Sequence, residues 1–264
     1  MYRILRVNKY NRYDVIRQLE SDIIRHVFAY YDIQFDFEHS IMYVTLEDNR
    51  RMKGYILIYT ALDNPSVILE GDEEIAEKLI KYAPKEGFIM HIPPNIKPIV
   101  RNNFPDAMYY VENWMLTKRG EANFYESNLV RRLRDKEDAL KLAALLSSQK
   151  NRPKPTWKKC LSIIRRNPTF GVFINGELVS YAGSILRLPQ VWVIGGVYTD
   201  PKHRNRGYAT LATSAITKEA LKNAETAVLF VRSDNKAAIR VYEKIGYRKI
   251  GEKLWVDVKT GLKP

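Results

Sequence analysis

Two strings in the last quarter of the 264-residue chain combine residue types that could do chemistry. The first is His203-Arg204-Asn205-Arg206-Gly207-Tyr208-Ala209, followed by Thr210. A helix start offers unpaired backbone N–H groups and the positive end of its dipole, so it can hold an anion without charged side chains. Gly207 would let a ligand approach the backbone, Ala209 keeps the next position small, and Arg204 and Arg206 could add charge-assisted hydrogen bonds. The same string would also serve as a basic loop capping a core helix. Alone it does not choose between the two. The second string is DNKAAIRVYEKIGY, Asp234–Tyr247. Asn235 stands where a side chain caps a helix, and Gly246 where a helix stops. Ala238, Val241, Tyr242 and Ile245 share one face, and Asn235 lies on it two turns before Tyr242. A helix cap and a core aromatic are the plain structural meaning.

The elements around these strings must place them side by side. The spacing predicts a strand at 191–199, a helix from the first string to about Asn223, a strand at 227–231 and a helix at 236–245. Upstream lie strands at 129–133, 169–174 and 178–186 and helices at 136–148 and 157–166, with Asn175-Gly176 marking a tight hairpin. A pair of strands is expected over 247–258. The first half reads as a long helix over 11–30, strands at 41–46, 55–59 and 67–69, a helix at 73–82 and a strand at 88–91. A short helix near 96–103 and a strand near 109–116 follow. The polar stretch 117–126, with Gly120, is taken as a boundary. It divides the chain into an α/β domain at 1–120 and a second domain at 127–264. The order of elements describes an α/β fold of the α+β type, with a mixed, largely antiparallel sheet flanked by helices.

Composition narrows the class. The chain is 45% hydrophobic and 28% charged, enough for full cores. Residues 1–15 carry no secretory pattern and no apolar run reaches membrane length, so a cytoplasmic protein with no membrane partner is expected. Cys160 is the single cysteine, which removes an internal disulfide and any cysteine-cluster metal site; no metal is expected. The net charge of +13 is unevenly spread: residues 1–125 hold 16 Lys and Arg against 18 Asp and Glu, and the rest hold 27 against 12. A polyanionic ligand of the second half follows from that asymmetry.

The two motifs, Val197-Tyr198-Thr199-Asp200-Pro201-Lys202-His203-Arg204-Asn205-Arg206-Gly207-Tyr208-Ala209 and Asp234-Asn235 through Tyr242-Glu243-Lys244-Ile245-Gly246-Tyr247, resemble those of the GNAT acyltransferase superfamily. Their order, separation and setting match together over 128–259. The resemblance implies acetyl-CoA as the donor cosubstrate and an amine acceptor of a small molecule, peptide or protein. It implies that the backbone of Val197, Tyr198 and Thr199 pairs with the pantetheine arm. Arg204, Asn205, Arg206, Gly207, Tyr208, Ala209 and Thr210 would cradle the pyrophosphate. Asn235 and Ala238 would border the pantetheine, and Tyr242 would act as general acid towards the departing thiolate. Attack by the amine would be direct, with no covalent enzyme intermediate. One departure from the pattern is visible. Many members carry a glutamate base on the strand before the cradle, yet Arg187–Thr199 contains no carboxylate, and Val193 stands near that place. No base is assigned.

The first half follows a similar element order, which suggests a degenerate copy of the same fold. Its helix start is Glu70-Gly71-Asp72-Glu73-Glu74, where carboxylates suit the dipole but repel a pyrophosphate, so it should not bind CoA. In 150–166, Lys150, Arg152, Lys154, Lys158, Lys159, Arg165 and Arg166 surround Trp157, above an expected buried stripe of Trp157, Cys160, Leu161 and Ile164. A solvated face is the commoner meaning; as a binding surface it favours an acidic acceptor. Two other functions stand behind amine acetylation: a non-catalytic acyl-CoA-binding module, suggested by the missing base, and a nucleic-acid-binding protein using the basic helix.

Overall fold

Apolar stripes alternate along the chain in one pattern that is used twice. The computed structural model describes residues 2–48, 50–149 and 154–261. In the first half the elements are β1 (Arg3–Arg6), α1 (Arg12–Glu20), α2 (Val27–Phe35), β2 (Ser40–Leu46), β3 (Met52–Tyr59), β4 (Ser66–Glu70), α3 (Glu73–Leu79), β5 (Phe88–Ile92), α4 (Lys97–Asn103) and β6 (Met108–Lys118). The second half repeats that order with β7 (Val130–Arg132), α5 (Lys136–Ser147), α6 (Trp157–Arg166), β8 (Thr169–Ile174), β9 (Glu177–Arg187), β10 (Val191–Thr199), α7 (Tyr208–Asn223), β11 (Thr226–Arg232), α8 (Lys236–Ile245) and β12 (Arg248–Val258).

The chain forms two compact units. One comprises Met1–Trp114, Val231–Asp234 and Gly251–Pro264; the other comprises Met115–Phe230 and Asn235–Ile250. In the first unit the strand order is β1-β2-β3-β4-β5-β12-β6. Strands β2, β3 and β4 form an antiparallel meander, and β4 runs parallel to β5 through Ser66–Ile68. Strand β12 lies antiparallel to β5, with Leu254 opposite Ile92 and Val258 opposite Phe88. The last strand of the sequence therefore completes the first unit's sheet. One apolar layer gathers Leu69, Ile75, Leu79, Phe88, Met90 and Val256; the opposite layer gathers Val15, Leu19, Ile33, Val44, Tyr55 and Leu57 beneath α1 and α2.

In the second unit, to which Met115–Lys118 of β6 belong, the order is β6-β11-β10-β9-β8-β7. Strands β7 to β10 are antiparallel, and β10 runs parallel to β11. Helices α5 and α6 bury Ala139, Leu142, Leu145, Cys160 and Ile164 with Leu133 and Leu178. Helix α7 presents small buried residues, Ala212, Thr213, Ser214, Thr217 and Ala220.

Two expectations change, and one strand is added. The helix over 11–30 is two helices, because the Ser21 hydroxyl donates to the Gln18 carbonyl at 2.7 Å and the Asp22 carboxylate accepts from the Arg25 N–H at 3.2 Å. Such side-chain bonds compete with the helix ladder. The strand pair over 247–258 is one strand, β12, which runs straight through Gly251. Strand β1 was invisible as a strand because its four residues, RILR, carry charge at both ends.

Candidate functional site

Strand β10 changes character half-way along. Its ladder with β11 covers Val191 to Ile194, and its register with β9 is interrupted between Val193 and Ile194 and again between Gly195 and Tyr198. Gly196 takes φ +64, a conformation that favours glycine. Val197 lies within the second interruption, and Tyr198 and Thr199 continue past the parallel ladder, paired to Tyr181 and Ser180 of β9. The Ser180 hydroxyl fixes this end, 2.7 Å from the Thr199 hydroxyl and donating to the Tyr198 carbonyl at 3.2 Å.

The turn that follows is built by its own side chains. Asp200 accepts from the Lys202 N–H at 2.8 Å, and the Asp200 carbonyl accepts from the His203 N–H at 2.9 Å. His203 Nδ1 lies 3.6 Å from the Asp200 carboxylate, so the imidazole is turned towards that turn. The Arg204 guanidinium donates to the Thr199 carbonyl at 3.3 Å, which ties the loop to the strand end. Asn205 and Gly207 both have positive φ, +60 and +79. A Cβ added at Gly207 would meet nothing within 4 Å, so the backbone there borders open space.

Helix α7 begins at Gly207 with no side-chain cap. Its neighbours in the same unit are all capped: α5 by Asp135, α6 by Thr156 and α8 by Asn235. The first ladder bond of α7 runs from the Leu211 N–H to the Gly207 carbonyl at 3.1 Å. The amides of Tyr208, Ala209 and Thr210 precede it and, among the described residues, no side chain caps them. A long helix with uncapped first-turn donors beside open space could hold an anion there. Arg206 is exposed at its mouth, whereas Thr210 is buried below it.

Asn235 does cap α8: its side-chain oxygen accepts from the Ala238 N–H at 3.2 Å. The Ala238 amide is consumed by that bond. Two turns on, Tyr242 is buried, and burial pushes its phenol up to about 12. Its ring meets Tyr247 edge-on at 6.1 Å, and the Tyr247 hydroxyl pairs with that of Thr217 on α7 at 2.9 Å. Gly246 ends the helix with φ +100, and a Cβ there would stand 2.6 Å from the Glu121 carbonyl oxygen. Tyr242 is therefore held from α7 as well as from its own helix.

The structure also shows partners that spacing did not reveal. The Tyr198 hydroxyl sits 2.9 Å from that of Ser148 at the end of α5, and its ring joins the apolar cluster under α5 and α6. Ser180 is the other. No sequence signal marks a hydroxyl pair formed across distant elements. On α6, Cys160 and Ile164 are buried, but Trp157 and Leu161 are only partly so, which narrows the expected stripe. Lys136 and Lys158 lie over the Trp157 ring at 5.0 and 5.9 Å. Lys150 and Arg152 lie outside the described residues.

The corresponding place in the first unit is filled by its own side chains. Asp72 caps α3 by accepting from the Ile75 N–H at 2.9 Å. Glu70, at the end of β4, receives Arg25 at 2.9 Å and Lys253 at 2.8 Å. Burial pushes the Glu70 carboxyl up, but Lys253 and Arg25 outweigh it and hold the group below the usual range. Among the described residues, Asp36, Glu38 and His39 could offer three ligand atoms within 4.8 Å to a cation. Asp36 already accepts from the Tyr59 hydroxyl and stands 2.5 Å from His39, so internal hydrogen bonds account for that group.

A family model described as FR47-like protein matches residues 169–256, the stretch that holds β10, the Gly207 loop and α8. No curated protein matches the chain. Among solved structures, a Drosophila protein superposes with a TM-score of 0.76 at 14% identity, over 98% of this chain and 99% of that one. A tandem GNAT protein from the clavulanic acid biosynthesis pathway superposes over the whole of both chains, with a TM-score of 0.60 at 12% identity. This chain has a tandem GNAT fold. A GCN5-related N-acetyltransferase-like protein from Streptococcus suis is similar in the same way, with a TM-score of 0.61 at 12% identity over 96% of this chain and 100% of that one. The repeated element order gives the tandem GNAT arrangement a direct structural expression, since each half carries one copy of the fold.

Proposed function

We propose that the second unit is an acyltransferase that takes an acetyl group from acetyl-CoA and gives it to an amine. The observation that carries this is the uncapped start of α7 at Gly207, facing open space at the end of a β10 edge that has left its ladder. A pyrophosphate fits the free amides of Tyr208, Ala209 and Thr210, with Arg204, Asn205 and Arg206 around it. An extended pantetheine arm fits the edge of Val197, Tyr198 and Thr199, much as an added strand would. Asn235 and Ala238 border that arm through the capped start of α8.

Tyr242 supplies the hydrogen bond that the departing thiolate needs. With its phenol at about 12, it stays protonated at neutral pH. It is a weaker acid than an ordinary thiol of about 8.5, so complete proton transfer is uphill by roughly 5 kcal/mol. Tyr242 therefore works chiefly by hydrogen-bonding sulfur, with the proton following to water or the product. No carboxylate stands between Arg187 and Thr199, so the amine attacks in its neutral form, and turnover rises with pH. The basic face of α6 favours an acceptor that carries negative charge elsewhere.

Incubation with acetyl-CoA and paired acidic and neutral amines tests this, with acetylated products read by mass spectrometry. Acetylated acidic amines support the reading. Saturable CoA binding without acetyl transfer to any amine supports the rival, an acyl-CoA-binding module. Salt-sensitive binding of duplex or single-stranded nucleic acid with no CoA affinity supports the second rival.

A further inference from the structure

The first unit holds a group that acetyl transfer does not use. On one face of its sheet, His91 of β5, Glu112 and Trp114 of β6, and Lys253 and Trp255 of β12 come together. The Glu112 side chain is 8% exposed, and its carboxylate lies 3.9 Å from His91 Nδ1, beyond hydrogen-bond reach. Among the described residues no hydrogen bond reaches that carboxylate. This is costly, because a buried carboxylate normally collects donors or a cation. The nearby ammonium, Lys253, is committed elsewhere: it donates to Glu70 at 2.8 Å and lies 5.2 Å from the centre of the Trp114 ring. The Trp255 ring stands edge-on to His91 at 5.1 Å, and its indole N–H is buried with no partner among the described residues. His91 is 26% exposed, which leaves the group a way out to solvent.

We propose that Glu112, with His91 and the rings of Trp114 and Trp255, binds the ammonium head of a small primary amine. The carboxylate supplies the charge, neutral His91 a second acceptor, and the indole faces a cation–π wall. The Lys253 ammonium already shows the same recognition between Glu70 and Trp114. Burial pushes the Glu112 carboxyl up to about 7 and holds His91 near 4, Lys253 acting on both. The charged and titratable groups around it are His91 from β5, Lys253 from β12, Glu70 from β4, Arg25 and His26 from the segment between α1 and α2, and Tyr55 from β3. Between pH 5.5 and 8.5 Glu112 is the one nearest the site whose charge changes. The site is read by binding alone, so its test stands whatever the outcome for acetyl transfer.

The test is a titration of the full chain with n-butylammonium, followed by the Trp255 indole N–H signal in a 15N-labelled sample, the signal being assigned with Trp255→Phe. A saturable shift is expected at pH 8.5, weakened roughly thirtyfold at pH 5.5, where the amine stays charged and Glu112 is protonated. Glu112→Gln should weaken binding at least tenfold at pH 8.5, and butan-1-ol should give no saturable shift. No saturable shift at pH 8.5, the same affinity at both pH values, or equal shifts with the alcohol overturns the proposal. Equal affinity in folded Glu112→Gln does so too. If that variant does not fold, the wild-type comparison between the two pH values decides.

Discussion

The Lys253 ammonium and the Glu70 carboxylate meet at 2.8 Å within the first unit, although 183 residues of chain separate them. Lys253 arrives on β12, whose residues 251–258 belong to that unit's sheet. Glu70 occupies the strand end whose counterpart, Thr199, leads into the Gly207 loop. The first unit thus satisfies with its own carboxylates and cations the place where the second keeps free amides. This is why one copy of the fold is read as a donor site and the other is not.

Removing Lys253 should be costly, because it strips one of two cations from a carboxylate that is 3% exposed. Lys253→Met is expected to destabilise the protein by about 3 kcal/mol in urea unfolding. The pH dependence follows from the lowered Glu70 carboxyl. A depressed carboxyl contributes stability that is present above its unfolded value and is lost as pH falls through its folded one. The gap between wild type and variant should therefore close in acid, below about pH 4. A gap that stays constant down to pH 2 would contradict the ion-pair account.

Glu112 has the opposite sign. Its carboxyl is raised to about 7 from an ordinary 4.5, so the folded protein holds a proton that the unfolded chain has already lost. Stability falls as pH rises through that window. Glu112→Gln should gain up to about 3 kcal/mol over wild type between pH 5 and pH 8, read from unfolding curves at each pH. Equal differences at both pH values would show that Glu112 ionises normally.

Much of this was legible in the sequence, and for identifiable reasons. The strand–turn–helix around Gly207 and the capped helix from Asn235 to Gly246 carry local signals, and they fold where those signals lie. Neither Ser180 nor Ser148 could be found, since each matters only through a partner brought by another strand or helix. The environment of Glu112 was hidden for the same reason. Its neighbours His91, Lys253 and Trp255 come from β5 and β12, and β12 is the last strand in the chain. The break between α1 and α2 was missed because Ile23, Ile24 and Val27 continue an apolar rhythm that local side-chain bonds interrupt.

Gly207 separates backbone strain from ligand exclusion. With φ +79 and no atom near a new Cβ, Gly207→Ala should fold at a cost of about 1 kcal/mol. Gly207→Glu should fold about as well, yet place a carboxylate beside the free amides and abolish CoA binding in calorimetry. Unchanged CoA affinity in folded Gly207→Glu would remove the cradle.

Tyr242→Phe keeps the buried ring and loses the hydroxyl. Turnover is expected to fall by 10²-fold or more while CoA affinity stays within about twofold, a split that steady-state kinetics and calorimetry measure together. Equal turnover would take Tyr242 out of the chemistry.

The most direct test of acetyl transfer is thiol release from acetyl-CoA by the wild-type chain, recorded with and without an acidic primary amine across pH 6 to 9. Thiol release should depend on the amine, rise with pH as the amine loses its proton, and match the acetylated amine in amount. Tight CoA binding with no thiol release at any pH, even by slow hydrolysis, would contradict acetyl transfer.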